Sequence, residues 1–131
     1  MTILYVDDDS DDREIFREAV QSIDKSIVCL TACNGLDALS FLESQKDLPD
    51  VVFLDINMPL MSGTTCLAEI KRSKKMEQLP VIMFTTSTNP TEQAQCKKDG
   101  AIEYINKPVS YRHLKETLMA IIKSGNSLLA H

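Results

Sequence analysis

Residues 3–9 read Ile3-Leu4-Tyr5-Val6-Asp7-Asp8-Asp9: four apolar side chains run without a break into three carboxylates. An apolar run this short reads as a strand buried on both faces, as in a parallel sheet, and the acids behind it cannot share that burial unpaired. The strand must therefore end at a rim. The same pattern recurs along the chain as Val51-Val52-Phe53-Leu54 before Asp55, Val81-Ile82-Met83-Phe84 before Thr85, and Ile102 to Ile105 before Lys107-Pro108. In open α/β sheets, ligands bind on the rim outside the carboxyl ends of the strands. Three acids (Asp7, Asp8 and Asp55), the hydroxyl of Thr85 and the amine of Lys107 are thereby assigned to one edge.

A fifth apolar segment begins near Ile27, and the intervals between the five are too long for hairpins. Helical stripes fill them: Ile15, Phe16, Ala19, Val20 and Ile23; Leu36, Leu39 and Leu42; Cys66, Leu67 and Ile70; Leu114, Leu118, Ile121 and Ile122. The fourth helix has a thin stripe with Ala94 as its main apolar member, but its ends are marked. Asn89-Pro90-Thr91-Glu92 supplies a cap, a first-turn proline and a capping-box acid, and Lys97-Lys98-Asp99-Gly100 closes it. Ser10 is the expected cap of the first helix, with Asp11 and Asp12 favourable in its first turn. Five strands alternating with five helices predict a parallel sheet with right-handed crossovers, an α/β fold. The domain is expected over residues 1–123, with 124–131 a short tail rather than an output domain.

The chain's 131 residues suit one domain with a real core, and 44% hydrophobic against 25% charged residues is the balance of a globular protein. No stretch approaches the roughly 18 apolar residues of a membrane span, and Met1 leads directly into the first strand without a leader. A net charge of −5 argues against a nucleic-acid surface, which needs a basic stripe, and favours a protein partner. Cys29, Cys33, Cys66 and Cys96 show no Cys-x-x-Cys spacing and read as buried reduced thiols of a cytoplasmic protein. His113 and His131 are too isolated to act as ligands.

Asp7, Asp8 and Asp55 gathered at one partly desolvated edge repel one another and require a cation. Mg2+ fits best, being a hard ion that keeps several waters and takes few carboxylates. Calcium is the alternative, because Asp7, Asp9, Asp11 and Glu18 match positions of an EF-hand loop; the required glycine is replaced by Asp12, and a strand precedes the loop. With a metal and a lysine neutralising charge, a carboxylate can attack phosphorus and form an aspartyl-phosphate. Asp55, alone at its strand end, is the candidate nucleophile. Asp7 and Asp8 form a metal-holding pair, Lys107 meets a phosphoryl oxygen, and Thr85 hydrogen-bonds another.

The motifs Val6-Asp7-Asp8, Asp55-Ile56-Asn57-Met58-Pro59 with Gly63 four residues later, Thr85, and Tyr104-Ile105-Asn106-Lys107-Pro108 together resemble a receiver domain of the two-component response regulators, from about residue 2 to 123. The likeness is to its stand-alone, chemotaxis-regulator-like members. It implies a flavodoxin-like (βα)5 sandwich with strand order 2-1-3-4-5, and phosphoryl transfer to Asp55 from a sensor histidine kinase or phosphotransfer protein. It further implies Mg2+ bound by Asp8 and Asp55, by the Asn57 backbone carbonyl, and by Asp7 largely through water. A cis Lys107-Pro108 bond would aim the lysine into the site, and Tyr104 would turn inward behind a shifting Thr85 as the switch. The surface of the fourth helix, fifth strand and fifth helix would then signal to an unknown downstream protein, and would allow a homodimer. Thr86, bulkier than many relatives carry, leaves open a Tyr104 that packs without switching.

Two rival functions stand beside this one. A magnesium-dependent phosphatase of the haloacid dehalogenase type also uses an aspartyl nucleophile, and its signature is half present in Asp7-Asp8-Asp9-Ser10-Asp11. A pseudo-receiver would be a scaffold that never takes phosphate, against which the complete set of acids, hydroxyl and lysine argues.

Overall fold

The computed structural model describes residues 1–129. Strands and helices alternate as β1 (Thr2–Val6), α1 (Ser10–Ile23), β2 (Val28–Ala32), α2 (Gly35–Ser44), β3 (Val51–Leu54), α3 (Gly63–Arg72), β4 (Val81–Thr85), α4 (Pro90–Lys98), β5 (Glu103–Asn106) and α5 (Tyr111–Leu129). The sheet is fully parallel in the order β2-β1-β3-β4-β5, the flavodoxin-like arrangement expected. Alternation along the strands divides the interior into two cores. Leu4, Val6, Val52 and Leu54 face α2 and α3, where Leu42, Leu67 and Ile70 are fully buried. Ile3, Tyr5, Val51 and Phe53 face Phe16 and Val20 of α1 and Leu118 of α5. The central strands β1, β3 and β4 are thus buried on both sides, as their uninterrupted apolar runs require, whereas the edge strands β2 and β5 are partly exposed.

The helices dock with offsets that periodicity alone did not fix. Ile15 and Leu36, read as stripe members, are exposed, and Ala38 takes the buried place on α2. On α4 the buried residue is Cys96 rather than Ala94, which faces solvent. The cap of α1 is Asp9, one residue before Ser10: its backbone is extended and its carboxylate accepts from the Asp11 and Asp12 amides at 2.9 and 3.2 Å. Asn89 caps α4 as expected, but Glu92 accepts from the Ser87 hydroxyl at 2.5 Å instead of closing a capping box. The segment from residue 124 to 129, read as tail, continues α5; residues 130–131, and with them His131, lie outside the described residues.

Cys33 sits exposed just past β2, contrary to the expectation of burial; the other three cysteines are buried, and all four are free thiols. Burial pushes Cys29 and Cys96 up to about 11 and Cys66 up to about 12. They stay protonated and unreactive near neutrality.

Leu60, in the loop between β3 and α3, has φ 67°, a left-handed conformation that costs a residue with a Cβ about 1 kcal/mol. Its side chain is 79% exposed, so little packing is lost by changing it. Leu60→Asn should therefore raise stability by about 0.5–1 kcal/mol, since asparagine tolerates this region. A thermal midpoint that fails to rise would show that the loop carries no such strain.

Candidate phosphoacceptor site

The ladder places the acids side by side. Val6 pairs with Leu54 across β1 and β3, so the next residue on each strand, Asp7 and Asp55, reaches the same edge together. The main-chain bonds continue one step beyond the strands: Asp7 N–H donates to Ala32 O (3.1 Å), Asp55 N–H to Val6 O (3.1 Å), and Lys107 N–H to Thr85 O (2.8 Å). Asp7, Asp55 and Thr85 are buried, whereas Asp8 is exposed. Behind Asp55 the chain folds back so tightly that Gly63 N–H donates to Ile56 O at 2.8 Å. A Cβ built on Gly63 would fall 1.9 Å from the Asp55 carbonyl oxygen. Only glycine fits there.

One carboxylate oxygen from each of Asp7, Asp8 and Asp55 lies within 4.8 Å of the others. Mg2+ is a hard ion that takes few carboxylates, and these three side chains would hold it. The donor chemistry fits too, being all oxygen. Asn57 is exposed in the loop after β3.

Lys107 supplies the internal countercharge. Its Nζ lies 2.5 Å from Asp7 Oδ2, 3.1 Å from Asp55 Oδ2 and 3.2 Å from Asp12 Oδ2. Burial works against ionising Asp7, yet bonds from Lys107, from the Tyr5 hydroxyl and from the Asp9 amide outweigh it and hold the carboxyl below its usual range. Burial likewise works against the charged lysine, and its bond to Asp7 with the charge of Asp55 more than reverses this. The Lys107-Pro108 peptide is not cis, which corrects the expectation: among the described residues every peptide is trans. Trans is the lower-energy form of the bond, and the lysine reaches the acids without the other isomer.

Thr85 and Tyr104 meet through a third residue. The Ser87 amide donates to Thr85 Oγ1 (3.2 Å), while the Ser87 carbonyl accepts from the Tyr104 hydroxyl (3.2 Å) and from Asn106 Nδ2 (2.7 Å). Tyr104 is already buried, with its hydroxyl on the β4–α4 loop. A groove of about 460 Å³ opens beside Lys107, lined by Asp12, Ile15, Pro108, Val109 and Tyr111 among others.

Sequence reasoning missed two site residues. Asp12 was read as a favourable charge in the first turn of α1 and as the misfit in an EF-hand loop, not as a partner of Lys107, and Tyr5 only as part of an apolar run. The signal for Tyr5 was the phenol itself, since a buried hydroxyl needs a partner.

The fold and this constellation define a class of signalling domain, and the comparisons agree. Residues 3–119 match the family model of the response regulator receiver domain, and the chain belongs to that family. It is 33% identical to a chemotaxis protein CheY homolog of Campylobacter jejuni, covering 96% of this chain and 95% of that protein. It is also 35% identical to part of the sensor histidine kinase CheAY of Helicobacter pylori, covering 92% of this chain but only 15% of the kinase. Among solved structures, the phosphorylated cyanobacterial phytochrome response regulator RcpA superposes with a TM-score of 0.87 at 25% identity, covering 94% of this chain and 91% of that one. The Mn(2+)-bound form of response regulator Rcp1 gives 0.83 at 26% identity, covering 94% and 91%. The protein is thus a CheY-like receiver domain of the response regulators.

Proposed function

We propose that this is a single-domain response regulator whose Asp55 accepts a phosphoryl group from a histidine kinase or phosphotransfer protein in the cytoplasm. The observation that carries the reading is the convergence of three carboxylates within 4.8 Å on a lysine that touches two of them. An Asp55 carboxylate oxygen attacks the donor's phosphorus; the O–P bond forms as the P–N bond to the donor histidine breaks, and the electron pair leaves with the imidazole nitrogen. Asp7, Asp8 and Asp55, with the Asn57 carbonyl, would hold Mg2+, which when bound neutralises charge on the transferred group. Lys107 shifts from the acids to one phosphoryl oxygen, and Thr85 donates its hydroxyl to another. The protein assists only its own phosphorylation and dephosphorylation, and in that sense is not an enzyme.

Thr85 Oγ1 accepts the Ser87 amide, so a rotation of the Thr85 side chain toward a phosphoryl group would break that bond, and Ser87 holds Tyr104 on its carbonyl. This link supports Tyr104 as the switch, biasing the α4, β5 and α5 surface toward a downstream protein or a second copy. The phosphatase and calcium alternatives both need the carboxylate of Asp9, whose Oδ1 accepts two amides as the cap of α1. Domain limits of 1–123 remain part of the proposal.

With Mg2+ and a small phosphodonor, the intact protein should gain one phosphoryl group by mass, and Asp55→Asn should abolish the gain. Modification that persists in the variant refutes the assignment.

A further inference from the structure

Tyr5 has no part in the reading above, and the core does not require its hydroxyl: Ile3, Leu4 and Val6 complete the same strand with hydrocarbon alone. Yet that hydroxyl donates to Asp7 Oδ2 at 2.6 Å. We propose that Tyr5 is a positioning residue: its hydroxyl, rather than the mobile ammonium of Lys107, fixes the Asp7 carboxylate toward the divalent ion. The inference rests on the phosphoacceptor reading for its purpose.

The two donors to Asp7 Oδ2 differ in freedom. Lys107 sits on a flexible stem and has two further carboxylates, Asp55 and Asp12, within 3.2 Å. Tyr5 is 1% exposed, with its ring stacked on Phe16 at 4.0 Å and 5° and set edge-on to Phe84 at 6.2 Å. The hydroxyl therefore points in one direction. Asp7 Oδ1 accepts the Asp9 amide at 3.0 Å. When Lys107 moves to another oxygen, a buried Asp7 without Tyr5 would keep that single amide bond, and an undersatisfied buried carboxylate reorients. Partners that orient a ligating carboxylate typically govern metal affinity by 10–100-fold.

Tyr5→Phe removes the hydroxyl and keeps the ring. Titration calorimetry with Mg2+ alone should show the dissociation constant rising about 10-fold, with a modest fall in the urea midpoint from the lost bond to a buried charge. A Tyr5 that serves only packing predicts no change in either, and unchanged Mg2+ affinity in a folded variant overturns the proposal. Should the variant fail to fold, the ¹³Cζ resonance of Tyr5 in the intact protein decides. A shift that keeps its hydrogen-bonded value on adding Mg2+ and then beryllofluoride supports the role, and movement to the value of a free phenol sinks it. Neither readout depends on phosphoryl transfer, so a wild type that binds Mg2+ but takes no phosphate would fail the phosphoacceptor reading alone.

Discussion

Gly63→Ala should cost about 3 kcal/mol or more, measured as a fall in the urea midpoint at unchanged slope. The added methyl would lie 1.9 Å from the Asp55 carbonyl oxygen and 2.8 Å from Ile56 Cα. Both obstacles are main chain, and the loop cannot retreat without breaking the 2.8 Å bond from Gly63 N–H to Ile56 O. Because the displaced backbone carries Asp55, Mg2+ affinity should fall along with stability. Gly35→Ala supplies the contrast. There the new methyl meets Met61 at 2.9 Å from Cγ, 3.0 Å from Cβ and 3.1 Å from its carbonyl oxygen, so Met61 need give by only a few tenths of an ångström and the cost should be about 1–2 kcal/mol, below that at Gly63. Equal losses in the two variants would show that the close approach at Gly63 does not govern the loop.

Lys107→Met should be nearly as damaging in the absence of metal. The ammonium is only 12% exposed and contacts Asp7, Asp12 and Asp55, so its removal leaves a buried carboxylate cluster without its internal cation. Breaking a buried pair from one side costs about 3–5 kcal/mol, and the half-exposed Asp12 places this case at the low end. Millimolar Mg2+ should restore much of the loss, because the ion supplies the missing charge to the folded state only.

The pH dependence gives an independent check. In the wild type the depressed Asp7 stabilises the fold above its ordinary value of 3.8, and that contribution disappears as pH falls through the lower folded value. The raised Lys107 contributes fully below its ordinary value of 10.5 and is lost only in stronger alkali. In Lys107→Met, burial would dominate Asp7 and raise it, reversing the acid limb: the metal-free variant should gain stability as pH falls toward the ordinary value of 3.8, where the wild type does not. Parallel profiles for the two proteins would remove Lys107 as the countercharge.

The rim was legible in the sequence because its signal is abrupt. Val6-Asp7 and Leu54-Asp55 change from hydrocarbon to carboxylate in one step, and a two-face-buried strand permits such a step only at its end. Tyr5 and Asp12 were hidden for opposite reasons. The phenol of Tyr5 is mostly hydrocarbon and blends into its strand, whereas the role of Asp12 depends on how far Lys107 reaches across space, which local sequence does not encode. Ile15 and Leu36 went astray because an apolar stripe about 100° wide does not say which of its edges will face the sheet. Asp9 and Ser10 are both good caps, so the choice between them rests on where α1 begins to turn. The peptide before Pro108 carries no local mark of its isomer.

The three ladder bonds that outrun the strands, at Asp7, Asp55 and Lys107, have a further consequence. They anchor the main chain beneath the charged cluster, so the sheet is a stator. For the phosphoacceptor proposed above, the response to an arriving charge would then fall to torsions of Lys107 and Thr85 and to the loop at Ser87, with the strands left where they were.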